Sequence, residues 1–179
     1  MAIGKFREIG MVIAICEEFK IDFKKYPILI ETGTYKGETA AICSEKFEKV
    51  YTIELSEELY EYCKNKYKNI KNIQFYQGNS PEKLKEIIKE IKEKYILFLD
   101  AHGSGGDTTF FNKYGRYGTP ILEELEAVKI KPPDIIIIDD YKDYQQIKVE
   151  EFIKDNLGKY SCFSFPEIAN WELIFIKQN

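Results

Sequence analysis

The chain has 179 residues, of which 44% are hydrophobic and 31% are charged, so it is long enough for one globular domain with a substantial core. Its net charge of −4 argues against a general nucleic-acid binder, which normally needs a basic face. Four cysteines are scattered without C-x-x-C spacing, which argues against a zinc site or a disulfide framework. We therefore expect a cytoplasmic protein with no membrane partner.

The first predicted element is an amphipathic helix whose apolar run extends from Ile9 to Cys16. The run is too short for a membrane span and lacks a small-residue cleavage site, so a helix is favoured over a signal peptide. We expect residues 1–26 to form an N-terminal helix that packs on a single domain formed by residues 27–179.

From residue 27 onward, predicted strands and helices alternate, which indicates a mostly parallel sheet covered on both faces. The strands are predicted near 27–31, 49–54, 72–77, 95–100 and 134–139, and the helices near 37–47, 56–68, 80–94, 119–129 and 142–156. Two final strand-like runs, Tyr160 to Phe165 and Trp171 to Lys177, are separated by a loop too short for a helical crossover. They should form an antiparallel pair.

The first predicted turn contains Gly33 and Gly37 immediately before a helix. Glycines allow close backbone approach to a ligand, and a helix N-terminus presents unpaired N–H groups. Glu54 ends the second strand, 23 residues after Glu31, near the separation of about 20 at which a second-strand acid reaches ribose hydroxyls. Tyr35 replaces the middle glycine of a dinucleotide fingerprint, which argues against a pyrophosphate. The pattern predicts a nucleoside site, and the alternative is a tight turn without a ligand.

Asn79 and Ser80 follow the third strand and precede Pro81. They cap the next helix or contact a ligand, and the two roles are compatible. The predicted cofactor-binding residues are Glu31, Thr32, Gly33, Tyr35, Gly37, Glu54, Leu55, Asn79, Ser80 and Asp100. By contrast, Thr119 and Pro120, with Glu123 nearby, form an ordinary helix start that needs no functional explanation.

Asp100 ends the fourth strand, and Asp139 and Asp140 end the fifth. Carboxylates gathered at one sheet edge repel each other unless a cation neutralises them, and an all-oxygen set suits Mg²⁺. The alternatives are that Asp140 caps a helix and that Asp100 orients a substrate without metal. His102 lies two residues after Asp100 and is the candidate general base, ahead of a glycine-rich loop to Gly118 that is a candidate lid.

With these residues assembled, the chain resembles a class I S-adenosylmethionine (SAM) methyltransferase, and within that class the bacterial macrocin-type, magnesium-dependent O-methyltransferases of sugars and antibiotics. The resemblance extends from about Pro27 to the C-terminus. Its motifs are Glu31-x-Gly33-x-x-x-Gly37, Asp-x-His-x-Ser-Gly-Gly at 100–106 and Thr-Pro-Ile-Leu-Glu-Glu-Leu at 119–125. It implies a Rossmann-like α/β fold with seven strands in the order 3-2-1-4-5-7-6 and helices on both faces.

The resemblance also implies residue roles. The acid after the third strand in that family binds the adenine amino group, and Asn79 occupies its position here. The family's metal ligands correspond to Asp100, Asp139 and Asp140, followed by Tyr141. Its base, commonly Asp, corresponds to His102.

The implied function is SAM-dependent O-methylation of a hydroxyl on a sugar or other natural product, assisted by Mg²⁺ where the carboxylates hold it. Two alternatives stay open. One is a non-catalytic SAM-binding module, and the other is a Rossmann-like enzyme that uses another nucleotide. The sequence also leaves open a homo-oligomer.

Overall fold

The computed structural model describes residues 10–101, 119–141, 148–165 and 172–178. Within these ranges the chain forms a seven-stranded sheet and the helices that cover it. The strands are β1 (Ile28–Thr32), β2 (Lys49–Glu54), β3 (Ile73–Gln77), β4 (Tyr95–Leu99), β5 (Ile135–Ile138), β6 (Tyr160–Phe165) and β7 (Glu172–Lys177). The α-helices are α1 (Met11–Glu18), α2 (Glu38–Cys43), α3 (Glu57–Lys66), α4 (Ser80–Glu90), α5 (Ile121–Ala127) and α6 (Val149–Asn156), and a 3₁₀ turn covers Val128–Ile130.

The strand order is β3-β2-β1-β4-β5-β7-β6, which confirms the predicted topology. The pairs from β3 to β5 are parallel, whereas β7 runs antiparallel to both β5 and β6. Every residue of β4 and β5 is buried, as expected for continuous apolar runs in central strands with both faces covered. The predicted C-terminal antiparallel pair is also confirmed.

Two hydrophobic cores lie on opposite faces of the sheet, because successive strand residues point to opposite sides. Ile28 and Ile30 of β1 belong to the core that α4, α5 and α6 cover. Leu29 belongs to the other core, which α1 and α2 cover. Five consecutive residues of α1, from Val12 to Cys16, are buried, so this helix is held firmly against the sheet. None of the helices in the described ranges is long and apolar enough to cross a membrane.

Two helices end earlier than their sequences predict, because side chains engage the carbonyl groups at their ends. After α2, Ser44 Oγ donates to the Ala41 carbonyl (2.6 Å), and the next backbone bond tightens to Glu45 N–Ile42 O (3.2 Å). After α4, Ile91 adopts an extended backbone and is buried, while Lys131 Nζ donates to its carbonyl oxygen (2.7 Å). Lys131 is distant in the sequence, and the Ser44 hydroxyl competes with backbone N–H groups for a helix carbonyl, so helix propensity does not predict either contact.

The other helix boundaries differ by small amounts. Helix α5 begins at Ile121, with Pro120 at the N-cap and Thr119 Oγ1 accepting the Ile121 N–H (3.3 Å). The predicted helix at 142–156 is present from Val149, and residues 142–147 lie outside the described residues. The four cysteines are free and lie on the expected elements, three on helices and Cys162 on β6.

Candidate nucleoside site

The turn after β1 is fixed between the ends of its two neighbouring strands. The N–H groups of Gly33 and Thr34 both donate to the Ile53 carbonyl (3.0 and 3.2 Å), and Asp100 N donates to Thr32 O (3.1 Å). Gly33 has a φ of +85°, and a Cβ at this position would lie 2.5 Å from the Asp100 carbonyl oxygen. Only glycine fits this turn, because its backbone packs directly against the backbone that follows β4.

Glu54 presents a fixed carboxylate at the carboxyl end of β2. It is 5% exposed, and its two oxygens accept the N–H groups of Tyr35 (2.8 Å) and Ser56 (2.9 Å). Each oxygen keeps a further lone pair, since a carboxylate can accept about four hydrogen bonds. Tyr35 and Leu55 are exposed beside it. The arrangement is therefore a carboxylate held rigidly at the sheet edge with accepting capacity left over, which is what a ribose diol requires.

Glu31 lies inside the sheet rather than at its edge. Thr52 Oγ1 donates to Glu31 Oε2 (2.6 Å), and the Thr34 and Thr52 hydroxyls are 2.6 Å apart. Burial, together with the negative charges of Asp100 and Glu54, raises the pKa of Glu31 to about 8, against the opposing Thr52 hydrogen bond. The carboxyl group is therefore mostly protonated at neutral pH. Its predicted contact with a cofactor stays a prediction.

The turn after β3 brings Asn79 to the same edge. Gly78 N donates to the Glu54 carbonyl oxygen (2.8 Å), so this turn is tied to the end of β2. Asn79 is the N-cap residue of α4, yet its side chain makes no capping hydrogen bond. Ser80 is the first helical residue, and its buried hydroxyl donates to Glu124 Oε1 (2.5 Å). The Asn79 side chain therefore does not cap the helix, which was one of its two predicted roles.

Glu124 is a site-adjacent residue that the sequence pattern did not single out. It is buried on α5, and burial raises its pKa to about 7, against the opposing hydrogen bond from Ser80. A signal was present in the sequence, because Glu124 falls between Ile121 and Leu125 at the spacing of a core-facing helical stripe. A carboxyl group on that stripe needs a buried polar partner, and Ser80 supplies it.

The predicted metal-binding carboxylates lie at the ends of β4 and β5. Asp139 N donates to the Leu99 carbonyl (3.0 Å), and Asp139 Oδ1 accepts the N–H of Asp140 (2.7 Å). The backbone of Asp140 has a φ of +54°. A further acid, Glu172, begins β7 and is buried next to Ile138 and Asp139 because Ile138 pairs with Leu173. Burial, together with the charge of Asp139, raises the pKa of Glu172 to about 8.

Among the described residues, these carboxylates are not arranged as a metal site. Within those ranges, no group of three or more His, Cys, Asp or Glu side chains is placed to hold a metal ion. One oxygen of Asp139 already accepts the backbone N–H of Asp140. His102, the candidate base, and the rest of the loop to Gly118 lie outside the described residues. We therefore derive no chemical step through a metal.

Known proteins resemble this chain at the level of structure. No protein-family model and no curated protein matches the chain. A Staphylococcus aureus structure provisionally described as a caffeoyl-CoA O-methyltransferase is 16% identical, with 99% of this chain and 93% of that chain covered and a TM-score of 0.63. This chain has the methyltransferase fold.

Two further solved structures agree. An O-methyltransferase from Bacillus cereus in complex with S-adenosylhomocysteine (SAH) is 13% identical, with 89% of this chain and 78% of that chain covered and a TM-score of 0.58. A Clostridium thermocellum protein provisionally described as an rRNA methylase is 14% identical, with 93% and 97% covered and a TM-score of 0.64. Because proteins described as O-methyltransferases and as an rRNA methylase share this fold, the fold leaves the acceptor undecided.

Proposed function

We propose that the protein is a SAM-dependent methyltransferase. The observation that carries the proposal is the Glu54 carboxylate, which two backbone N–H groups hold at the carboxyl end of β2 beside the Gly33 turn. Ligands bind open α/β sheets at this edge. A fixed acid with unused lone pairs next to a turn that excludes side chains fits a nucleoside with its sugar hydroxyls against Glu54.

The chain's own residues divide the work of binding. Glu54 accepts the two ribose hydroxyls, and the Asn79 side chain, which makes no capping bond, accepts a hydrogen bond from the adenine amino group. SAM supplies a methyl group on a positively charged sulfur, ready for transfer to a nucleophile.

We propose that the acceptor is a hydroxyl of a small molecule such as a sugar or other natural product. In that reaction a C–O bond to the methyl group forms, the S–CH₃ bond breaks, SAH leaves, and the hydroxyl proton passes to a base, for which His102 is the candidate. The net charge of −4 supports a small molecule over RNA. Most acceleration would come from aligning the oxygen with the methyl group.

Calorimetry with SAH tests the cofactor assignment. We expect the wild type to bind SAH with micromolar affinity. Glu54→Ala should bind about 100-fold more weakly, because two hydrogen bonds to a charged acceptor are lost. The control is Glu58→Ala, which removes an exposed acid on α3 and should leave binding unchanged. Glu54→Gln should be nearly as damaging as Ala, because its NH₂ group would face a backbone N–H. Wild-type affinity in Glu54→Ala would contradict the proposal.

The same titrations separate the competing functions. Addition of Mg²⁺ to the SAH complex of the wild type and of Asp139→Asn tests the magnesium site that the sequence predicts. Heat of Mg²⁺ binding that is lost in the variant would support this site, and the absence of Mg²⁺ binding to the wild type would remove it. Binding of NAD in place of SAH would favour an enzyme that uses another nucleotide. SAH binding without turnover of any hydroxylated acceptor would favour a non-catalytic module.

A further inference from the structure

The buried carboxyl group of Glu124 connects the two turns that form the proposed nucleoside site. Glu124 reaches from α5 to the start of α4, where it accepts the Ser80 hydroxyl at 2.5 Å. Ser80 directly follows Asn79, the residue to which the proposed function assigns the adenine contact. The side chain is 1% exposed, so it cannot contact solvent or a bound ligand itself. Its effect on the site must act through its neighbours.

The second neighbour of Glu124 is Thr32, at the end of β1. The Thr32 hydroxyl is close enough to lower the pKa of the Glu124 carboxyl. Among the described residues, however, Thr32 Oγ1 and Glu124 Oε2 are both buried and complete no hydrogen bond. The Thr32 hydroxyl carries a proton of its own, so a small rotation that lets it donate to Glu124 Oε2 would remove the cost of leaving both buried atoms unsatisfied. Glu124 would then accept from Ser80 at Oε1 and from Thr32 at Oε2, in agreement with the lowering of its pKa by both hydroxyls.

An apolar residue at position 124 would suit the core-facing side of α5. Its neighbours at helical spacing, Ile121 and Val128, are buried in the hydrophobic core. A carboxyl group costs free energy in this position unless its hydrogen bonds are made. An apolar side chain would also leave the buried Ser80 hydroxyl without its acceptor. The acid is therefore explained by the two hydroxyls that it joins.

We propose that Glu124 is a positioning residue of the nucleoside site. It joins the Asn79–Ser80 turn to Thr32, the residue before the Gly33 turn, and so fixes the distance between the two turns on either side of Glu54. The inference rests on the proposed function, because it takes these turns to hold SAM. Glu124 touches no cofactor itself, but it holds Asn79 in the position from which Asn79 contacts the adenine ring.

The test uses SAH and its inosine analogue, which lacks the adenine amino group. We expect the wild type to prefer SAH. Glu124→Ala should bind SAH about tenfold more weakly, and its preference between the two ligands should fall towards one, because Asn79 is no longer held in place. Glu124→Gln, which keeps an acceptor for Ser80 and a donor for Thr32, should retain the preference. The control is Glu126→Ala, which replaces a partly exposed acid on α5 that pairs with Lys129.

Ser80→Ala removes the same hydrogen bond from the other side and should also lower the preference. The double variant with Glu124→Ala should lose little more than the worse single variant, since the two residues act through one contact. Ser80→Ala and Glu124→Gln carry the test if Glu124→Ala does not fold.

Lower thermal stability in Glu124→Ala and Ser80→Ala with unchanged affinity and preference would overturn the inference and leave Glu124 a purely structural residue. Failure of the proposed function is distinguishable, because it appears as absent SAH binding in the wild type.

Discussion

Gly33→Ala probes the closest backbone approach in the site. The added Cβ would lie 2.5 Å from the Asp100 carbonyl oxygen and 3.0 Å from Ala101 N. Neither atom belongs to a flexible side chain, and the position of Asp100 is fixed by its N–H bond to Thr32 O. Gly158 offers a matched control. Its φ of +110° is also unfavourable for alanine, but a Cβ added there would have no neighbouring atom within 4 Å.

The two substitutions differ in one physical contribution. Both incur the cost of a positive φ, about 1–2 kcal/mol. Only Gly33→Ala also forces backbone atoms apart, and overpacking of this kind costs roughly 1–3 kcal/mol. We therefore expect Gly33→Ala to lower the free energy of unfolding by about 2 kcal/mol more than Gly158→Ala. For a chain of this size, that is a difference in Tm of about 4–8 °C.

Urea unfolding of both variants measures this difference, and the slope m must stay constant for the comparison to hold. SAH calorimetry on the same samples should show weaker binding for Gly33→Ala and wild-type binding for Gly158→Ala. Equal destabilisation by the two substitutions would refute the reasoning, because it would mean that the turn after β1 has room for a side chain. Unchanged SAH affinity in Gly33→Ala would separate this turn from the ligand.

Two other predictions concern protons. The pKa of Glu31 is raised from an ordinary value of 4.5 to about 8 in the folded protein. Between these two pH values the unfolded chain has released the Glu31 proton, whereas the folded chain still keeps it. Stability should therefore fall as pH rises through this window, by up to about 1.4 kcal/mol per pH unit. Urea unfolding of Glu31→Gln should show a shallower fall, and an identical slope would contradict the assignment. His102→Ala should lower methyl transfer by about 10²–10⁴-fold while SAH affinity stays unchanged, and an equal loss of both would exclude His102 as the base.

Most of the fold was predictable because its signals are local. The runs Ile96–Leu99 and Ile135–Ile138 are apolar without interruption, and strands of that kind are buried on both faces in parallel sheets. The position of Glu54 was predictable for a related reason, because residues that end neighbouring strands of a parallel sheet meet at one edge; its role in binding stays a prediction. The short final loop likewise permits only an antiparallel pair.

Other features depend on which distant residues meet, and a single sequence does not contain that information. Glu124 and Ser80 are 44 positions apart and form a hydrogen bond only because α5 packs on α4. Glu172 joins the Asp139 carboxylate through the register of β7 on β5, and a shift of one residue would point it to the other face. The early end of α4 similarly depends on Lys131 reaching the Ile91 carbonyl.

The backbone hydrogen bonds that anchor the turns after β1 and β3 have a consequence for the energetics of recognition. Gly33, Thr34 and Gly78 each donate an N–H to a carbonyl of β2, so both turns are ordered as extensions of the sheet. The loss of conformational entropy there occurs when the protein folds and does not recur when a ligand binds. Affinity and stability are therefore coupled: substitutions that loosen the end of β2 weaken recognition even without touching the ligand, and a bound nucleoside raises the melting temperature of the whole sheet.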